Sequence, residues 1–128
     1  MATVKSFTDL QQSKKLAEIL PIESADCFWD YDDLQKYHRI NWFEDGYNKD
    51  SQLRLNKNNV CAWSLATLLK YLSEINPQMY TPVLFPSEGK WILQFVKYGH
   101  GNVCEVSCNN PVDACVAMIE KLNELKML

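Results

Sequence analysis

Residues 81–108 read TPVLFPSEGKWILQFVKYGHGNVCEVSC, and this stretch decides the fold. Three segments of it, Thr81–Phe85, Lys90–Tyr98 and Asn102–Cys108, are rich in the β-branched and aromatic residues that favour strands. The breaks between them are short and contain glycine or proline, as do turns that join neighbouring antiparallel strands. The stretch therefore predicts a three-strand meander.

Side chains alternate between the two faces of a strand, and the third predicted strand shows this pattern. Cys104, Val106 and Cys108 share one face, and the residues between them are more polar. We expect the cysteine-bearing face to be buried.

A final helix follows the meander. Asn110 can cap it, Pro111 suits the first helical position, and Asp113 lies where the helix dipole is positive. Its predicted buried stripe consists of Cys115, Met118, Ile119, Leu122 and Leu125.

Two earlier helices are predicted from caps and spacing. Thr8 and Gln11 have the form of a capping box, which predicts a helix over residues 9–20 that stops at Pro21. Apolar residues at spacings of three and four predict a second helix over about 60–75, capped by Asn58 or Asn59.

The segment between these helices, residues 21–59, is aromatic and acidic. Tyr37–Phe43 is typical of a strand, Asp45-Gly46 is a turn signal, and Ser51–Leu55 is the candidate return strand. The elements together predict an α+β fold in a single domain spanning residues 1–128. Its small antiparallel sheet would be a meander with an additional strand pair, and about three helices would pack mainly on one face.

Composition excludes several classes of protein. The 128 residues carry a net charge of −3, and the basic residues are dispersed, which argues against a general nucleic-acid binder. No apolar run is long enough for a membrane span. The start of the chain lacks an export signal and the cysteine count is odd, at five, so we expect a cytoplasmic protein without structural disulfides.

The only enzyme hypothesis that the sequence offers is a cysteine-dependent hydrolase. Cys61 would lie at a helix start, where the dipole lowers the pKa of a thiol, and His100 and Asn102 would lie at a strand turn. The alternative without catalysis is that Cys61 is a buried core residue and that His100 lies in a solvent-exposed turn. We favour this alternative and assign no catalytic residue.

Metal and cofactor sites are not predicted either. His100, Cys104 and Cys108 share a strand face, but steps of four residues space them about 13 Å apart. Asp30-Tyr31-Asp32-Asp33 lacks the glycine and the distant glutamate of a calcium loop. No glycine-rich phosphate loop is present.

The aromatic residues of the acidic segment are the candidate partner surface, because tyrosine and tryptophan are enriched at interface hot spots. The alternative is that these aromatics fill the core while the acids solvate a loop. The candidate protein-binding residues are Trp29, Tyr31, Tyr37, Trp42 and Tyr47.

Three stretches resemble a group of short uncharacterised proteins from gut Bacteroidales and their phages and mobile elements. They are residues 12–26 (QSKKLAEILPIESAD), 63–69 (WSLATLL) and 110–119 (NPVDACVAMI). The resemblance spans roughly residues 10–125 and implies a small accessory protein of bacterial or phage origin. It implies no catalytic residue. The preferred hypothesis is thus a non-enzymatic protein-binding module, and the alternative is a self-associating structural protein that forms a homo-oligomer.

Overall fold

The computed structural model describes residues 5–44 and 48–128, and it divides the chain into two compact units. The N-terminal unit comprises Phe7–Thr67, and the C-terminal unit comprises Leu68–Leu128 with the residues up to Ser6. The described residues form four helices and two antiparallel three-strand sheets, which confirms the predicted α+β class. A single domain over residues 1–128 stays a prediction.

The N-terminal unit holds a sheet with the strand order β2-β1-β3, in which both pairings are antiparallel. Cys27 and Phe28 begin its central strand, and both are buried. The elements of the unit are α1 (Leu10–Ala17), a 3₁₀ turn (Ile22–Ser24), β1 (Cys27–Asp32), β2 (Tyr37–Trp42), α2 (Lys49–Leu53) and β3 (Val60–Ala62).

The N-cap of helix α1 lies one residue later than predicted. Asp9, not Thr8, is the N-cap, and Gln12, not Gln11, completes the capping box. Thr8 is buried instead, and its backbone N–H donates to the carbonyl of Trp63 at 2.9 Å. The predicted cap was wrong because Thr8 is buried and its hydroxyl has other partners: Oγ1 accepts the N–H of Trp63 at 3.1 Å and lies 2.8 Å from Ser13 Oγ.

The strand prediction for the acidic segment was half right. Tyr37–Trp42 is a strand, but its partner is β1, a segment for which the sequence predicted an acidic loop around residues 30–33. The predicted return strand Ser51–Leu55 is wrong, because these residues belong largely to α2, which Asn48 caps by accepting from the N–H of Ser51.

The predicted helix 60–75 is wrong in its first part. Val60–Ala62 form β3, and the helix α3 runs only from Leu65 to Ser73. Ser64, rather than Asn58 or Asn59, caps it by accepting from the N–H of Thr67 at 3.3 Å. Apolar spacing alone cannot separate a buried strand of three residues from the first turn of a helix.

The C-terminal unit holds the predicted meander, which the strand order β4-β5-β6 confirms. Pro82 and Pro86 lie in β4, an edge strand, where proline removes no ladder hydrogen bond. Cys104 is buried and the alternate residue Glu105 is exposed, as predicted. The strands are β4 (Tyr80–Ser87), β5 (Lys90–Lys97) and β6 (Gly101–Cys108).

Helix α4 (Pro111–Glu124) packs against β5 and β6. Asn110 caps it as predicted, by accepting from the N–H of Asp113 at 2.9 Å. The predicted stripe is buried except for Leu125, which is the exposed C-cap residue, so including it was wrong.

Candidate protein-binding edge

The hairpin of β1 and β2 determines which backbone groups of β2 are available to a partner. The N–H of Phe43 donates to the carbonyl of Asp26 at 3.2 Å, and hydrogen bonds then recur at every second residue of the pair. Tyr37, Arg39 and Asn41 therefore direct their backbone groups at β1. Those of His38, Ile40 and Trp42 point away from it. We call the strand Tyr37–Trp42, with these outward groups, the β2 edge.

The β2 edge also carries exposed aromatic side chains. Trp42 is 53% exposed and Tyr37 is 43% exposed. Within residues 5–44 and 48–128, no strand pairs with the outward side of β2. Unpaired backbone groups beside exposed aromatics form a surface onto which another extended segment can add.

Trp29 and Tyr31 pack mainly against other residues of the N-terminal unit. Trp29 is half-buried, its Nε1 donates to the carbonyl of Thr8 at 3.1 Å, and its ring meets Phe7 edge-on at 5.7 Å. Tyr31 lies against His38 with ring centroids 4.9 Å apart. Both aromatics thus have packing partners within the N-terminal unit.

The five predicted partner residues do not form one patch. Register and alternation place Trp29, Tyr31 and Trp42 on one face of the sheet and Tyr37 on the other. Tyr47 lies outside the described residues. The backbone of β2 is the feature that links the exposed members, and sequence reasoning missed it because it considered side chains only. The signal was available as the Trp-Asp-Tyr-Asp alternation of residues 29–32, which indicates the pairing strand.

One local contact partly protects the β2 edge. Asn41 Oδ1 accepts the outward N–H of Trp42 at 3.1 Å, and an incoming strand can exchange this contact for a ladder bond. The imidazole of His38 reaches across β1 instead, with Nε2 2.9 Å from the carbonyl of Asn58, just before β3. Within the described chain, the backbone groups of Ile40 have no such cover.

The structure does not support the premise of the hydrolase hypothesis. Cys61 lies in the middle of β3 and not at a helix start, and it is buried. Burial raises the pKa of Cys61, and this outweighs the opposite effect of Lys49. His100 belongs to the other unit, in an exposed turn, with Nδ1 3.3 Å from the carbonyl of Tyr98.

We predict slow thiol modification in the folded protein. All five cysteines are free, and only Cys108 is not buried. Burial raises the pKa of Cys115 to about 12 and that of Cys27 further still, so thiolate is scarce at neutral pH. Iodoacetamide labelling read by peptide mass should modify Cys108 first, and a Cys108→Ser variant should label little before denaturation. Labelling of Cys61 faster than a small free thiol would contradict this and favour the hydrolase hypothesis.

The described residues hold neither a candidate metal centre nor a candidate membrane span. Among the described residues, no group of three or more His, Cys, Asp or Glu side chains is placed to hold a metal ion. Cys104 is buried while His100 is exposed, so the strand face considered from the sequence is not a common site. No helix in the described ranges is long and apolar enough to cross a bilayer.

A shallow groove beside α2 encloses about 440 Å³ and is lined by Ile22, Glu23, Asn48, Lys49 and Asp50. Lys49 Nζ donates to the carbonyls of Glu23 and Ala25 and lies 5.5 Å from the centroid of the Phe43 ring. The ammonium group of Lys49 therefore ties α2 to the 3₁₀ turn, which is a structural role.

Comparisons with protein-family profiles, with curated proteins and with solved structures found no match to this chain.

Proposed function

We propose that this chain is a small, non-enzymatic accessory protein that binds another polypeptide through the β2 edge. The single observation that carries the proposal is the outward backbone of His38, Ile40 and Trp42 beside an exposed tryptophan. An extended segment that pairs with β2 gains main-chain hydrogen bonds, and exposed aromatic side chains supply apolar contact.

The charge of the chain supports a protein partner more than a nucleic acid. The net charge is −3, and residues 21–59 hold eight acids and five bases. Phosphate contact requires clustered cations, and β2 carries only Arg39, which lies 4.0 Å from Asp30. The proposed location is the cytoplasm, and the proposed origin is a bacterium, phage or mobile element, as the sequence resemblance implies.

Two substitutions test the proposal. Trp42→Ala removes the exposed aromatic, and Ile40→Pro removes one outward N–H without removing a bond to β1. We expect each to reduce capture of the partner from host lysate by at least about tenfold, because interface tryptophans are frequent hot spots. Capture would be quantified by mass spectrometry, with nuclease present, against wild-type bait.

Matched controls separate binding from folding. Leu55→Ala also removes an exposed apolar side chain, 84% exposed, but away from β2, and it should capture as wild type does. Ile40→Ala keeps the backbone N–H and should lose less than Ile40→Pro. Asn41→Pro should unfold the hairpin, because that N–H faces β1. Equal capture by wild type, Trp42→Ala and Ile40→Pro, with circular dichroism showing all three folded, would overturn the proposal.

A further inference from the structure

We infer that the segment taken up by the β2 edge is the β2 strand of a second copy of this chain, aligned antiparallel about Ile40. This inference rests on the proposed function, since it needs the same open edge. It names the partner and the register, and both follow from the residues on and beside β2.

The outward groups limit the register first. In an antiparallel pair of two β2 strands, residues with outward groups must lie opposite one another. Ile40 can then lie opposite the second copy's Ile40, or the strands can slip by two residues in either direction or more. Alignment about Ile40 pairs all three outward residues of β2 over residues 38–42, whereas alignment about Arg39 or Asn41 pairs only two of them.

The charges of the facing side chains distinguish between the remaining registers. A register centred on Arg39 would place two guanidinium groups directly opposite each other, and like charges in that position destabilise a sheet. Centring on Ile40 places Arg39 opposite the second copy's Asn41. The same register brings Lys36, in the turn just before β2 with a φ of 59°, close to the end of the second copy's β2 that Glu44 follows, and two-fold symmetry makes this contact twice.

Lys36 and Glu44 are available for this contact. Both are exposed, and within the described part of the chain neither forms an ion pair. They flank β2 at its two ends, Lys36 just before Tyr37 and Glu44 two residues after Trp42. A strand with opposite charges at its two ends is self-complementary when it meets its own copy antiparallel.

The aromatic residues fit the same alignment. Tyr37 would lie opposite the second copy's Phe43, whose ring is fixed by stacking on Phe28 at 4.8 Å. On the other face, Trp42 would lie opposite the second copy's His38. Cross-strand pairs of this kind stabilise antiparallel sheets. The two sheets would then continue as one six-strand sheet.

Charge exchange tests both the partner and the register. In Lys36→Glu, two attractive pairs become repulsive, and the same holds for Glu44→Lys. We expect sedimentation velocity over a concentration series to show each variant dimerising about tenfold more weakly than wild type. The double variant should recover wild-type dimerisation. An equimolar mixture of the two single variants should also recover it, because every facing pair in the mixed dimer is again opposite in charge.

The matched controls are Lys15→Glu and Ile40→Pro. Lys15 is an exposed lysine on α1, which packs against β3 at the opposite edge of the sheet. Lys15→Glu should dimerise as wild type does, and Ile40→Pro should abolish the dimer by removing both central hydrogen bonds. If Ile40→Pro does not fold, the charge variants still decide, since both positions are exposed.

Each outcome has one meaning. Dimerisation that is weakened by both single variants and restored by the double variant and by the mixture supports the inference. A wild-type dimer that is indifferent to these charges overturns the register and the edge as the site of self-association. A wild-type monomer at every concentration overturns the second copy as partner. In that case, loss of lysate capture by Trp42→Ala and Ile40→Pro would still support the proposed function, whereas unchanged capture would remove it too.

Discussion

Replacing Trp63 by alanine is expected to lower the free energy of unfolding by about 4 kcal/mol, the typical cost of removing a buried aromatic side chain. Trp63 is fully buried, and its Nε1 donates to Ser24 Oγ at 3.0 Å. Its backbone N–H donates to Thr8 Oγ1 at 3.1 Å, and this bond does not depend on the side chain. The loss therefore comes mainly from packing and the cavity. Urea unfolding followed by circular dichroism measures it.

Two control variants show how much of this loss in unfolding free energy depends on the burial of the ring. Trp63→Phe keeps an aromatic ring but removes Nε1, and it should cost about 1–2 kcal/mol, because Ser24 Oγ keeps its bond to the carbonyl of Pro21. Trp42→Ala removes the same side chain from an exposed site and should cost under about 1 kcal/mol. An equal loss for Trp63→Ala and Trp42→Ala would contradict the burial described for Trp63.

The second large effect is expected at Asp26, whose side chain fixes the start of α3. Asp26 Oδ1 accepts the N–H of Ser64 at 2.9 Å, and Oδ2 accepts the hydroxyl of Ser64. Asp26→Ala leaves both donors of Ser64 without this partner. We expect a loss of about 2–3 kcal/mol, the range for hydrogen bonds to a charged group in a partly buried setting. Chemical denaturation at neutral pH measures it.

The contribution of Asp26 should depend on pH. Burial raises the pKa of Asp26, but hydrogen bonds from Ser64, Thr67 and Cys27 outweigh burial and bring the pKa below its ordinary value of 3.8. A carboxylate with a lowered pKa stabilises the fold above that ordinary value. The stabilisation is lost as pH falls through the pKa of the folded state.

Asp26→Asn and Asp30→Asn form the matched pair for this prediction. Asp30 lies on β1, which begins one residue after Asp26, and faces the exposed Arg39 at 4.0 Å, so Asp30→Asn should change stability by under about 1 kcal/mol. The difference in unfolding free energy between wild type and Asp26→Asn should be largest near neutral pH and shrink toward pH 3. A difference that stays constant or grows as pH falls would contradict the lowered pKa.

The parts of the fold that the sequence predicts closely are those where several local signals agree. The meander has period-two alternation and short turns, and α4 has both an asparagine cap and Pro111, so both were predicted closely. The prediction for residues 60–62 was wrong because a strand of three residues that is buried on both faces is too short to show an alternating pattern. Its place in the sheet depends on pairing with residues of β1 that lie 31 to 35 residues earlier in the chain.

The candidate site was predictable in composition but not in geometry. Trp42 and Tyr37 are exposed, as a partner surface requires, whereas Trp29 is held by Phe7 and Thr8. The residue type alone cannot distinguish Trp29 from Trp42, because their different exposure arises from long-range packing. The availability of a backbone edge follows from strand order, which only the three-dimensional structure provides.

The edge strand opposite β2 is β3, and it limits how many copies of the chain can join the N-terminal sheet. Only Cys61 of β3 directs its backbone groups outward, and Thr8 occupies those of the adjacent Trp63. A third copy would thus find no strand long enough to extend the six-strand sheet. In the proposed dimer, growth of this sheet would stop at two copies, which would form a closed symmetric pair and not a fibre. Removing the residues before Asp9 would leave the backbone N–H and carbonyl of Trp63 without Thr8, and this edge would then be open to aggregation by strand pairing.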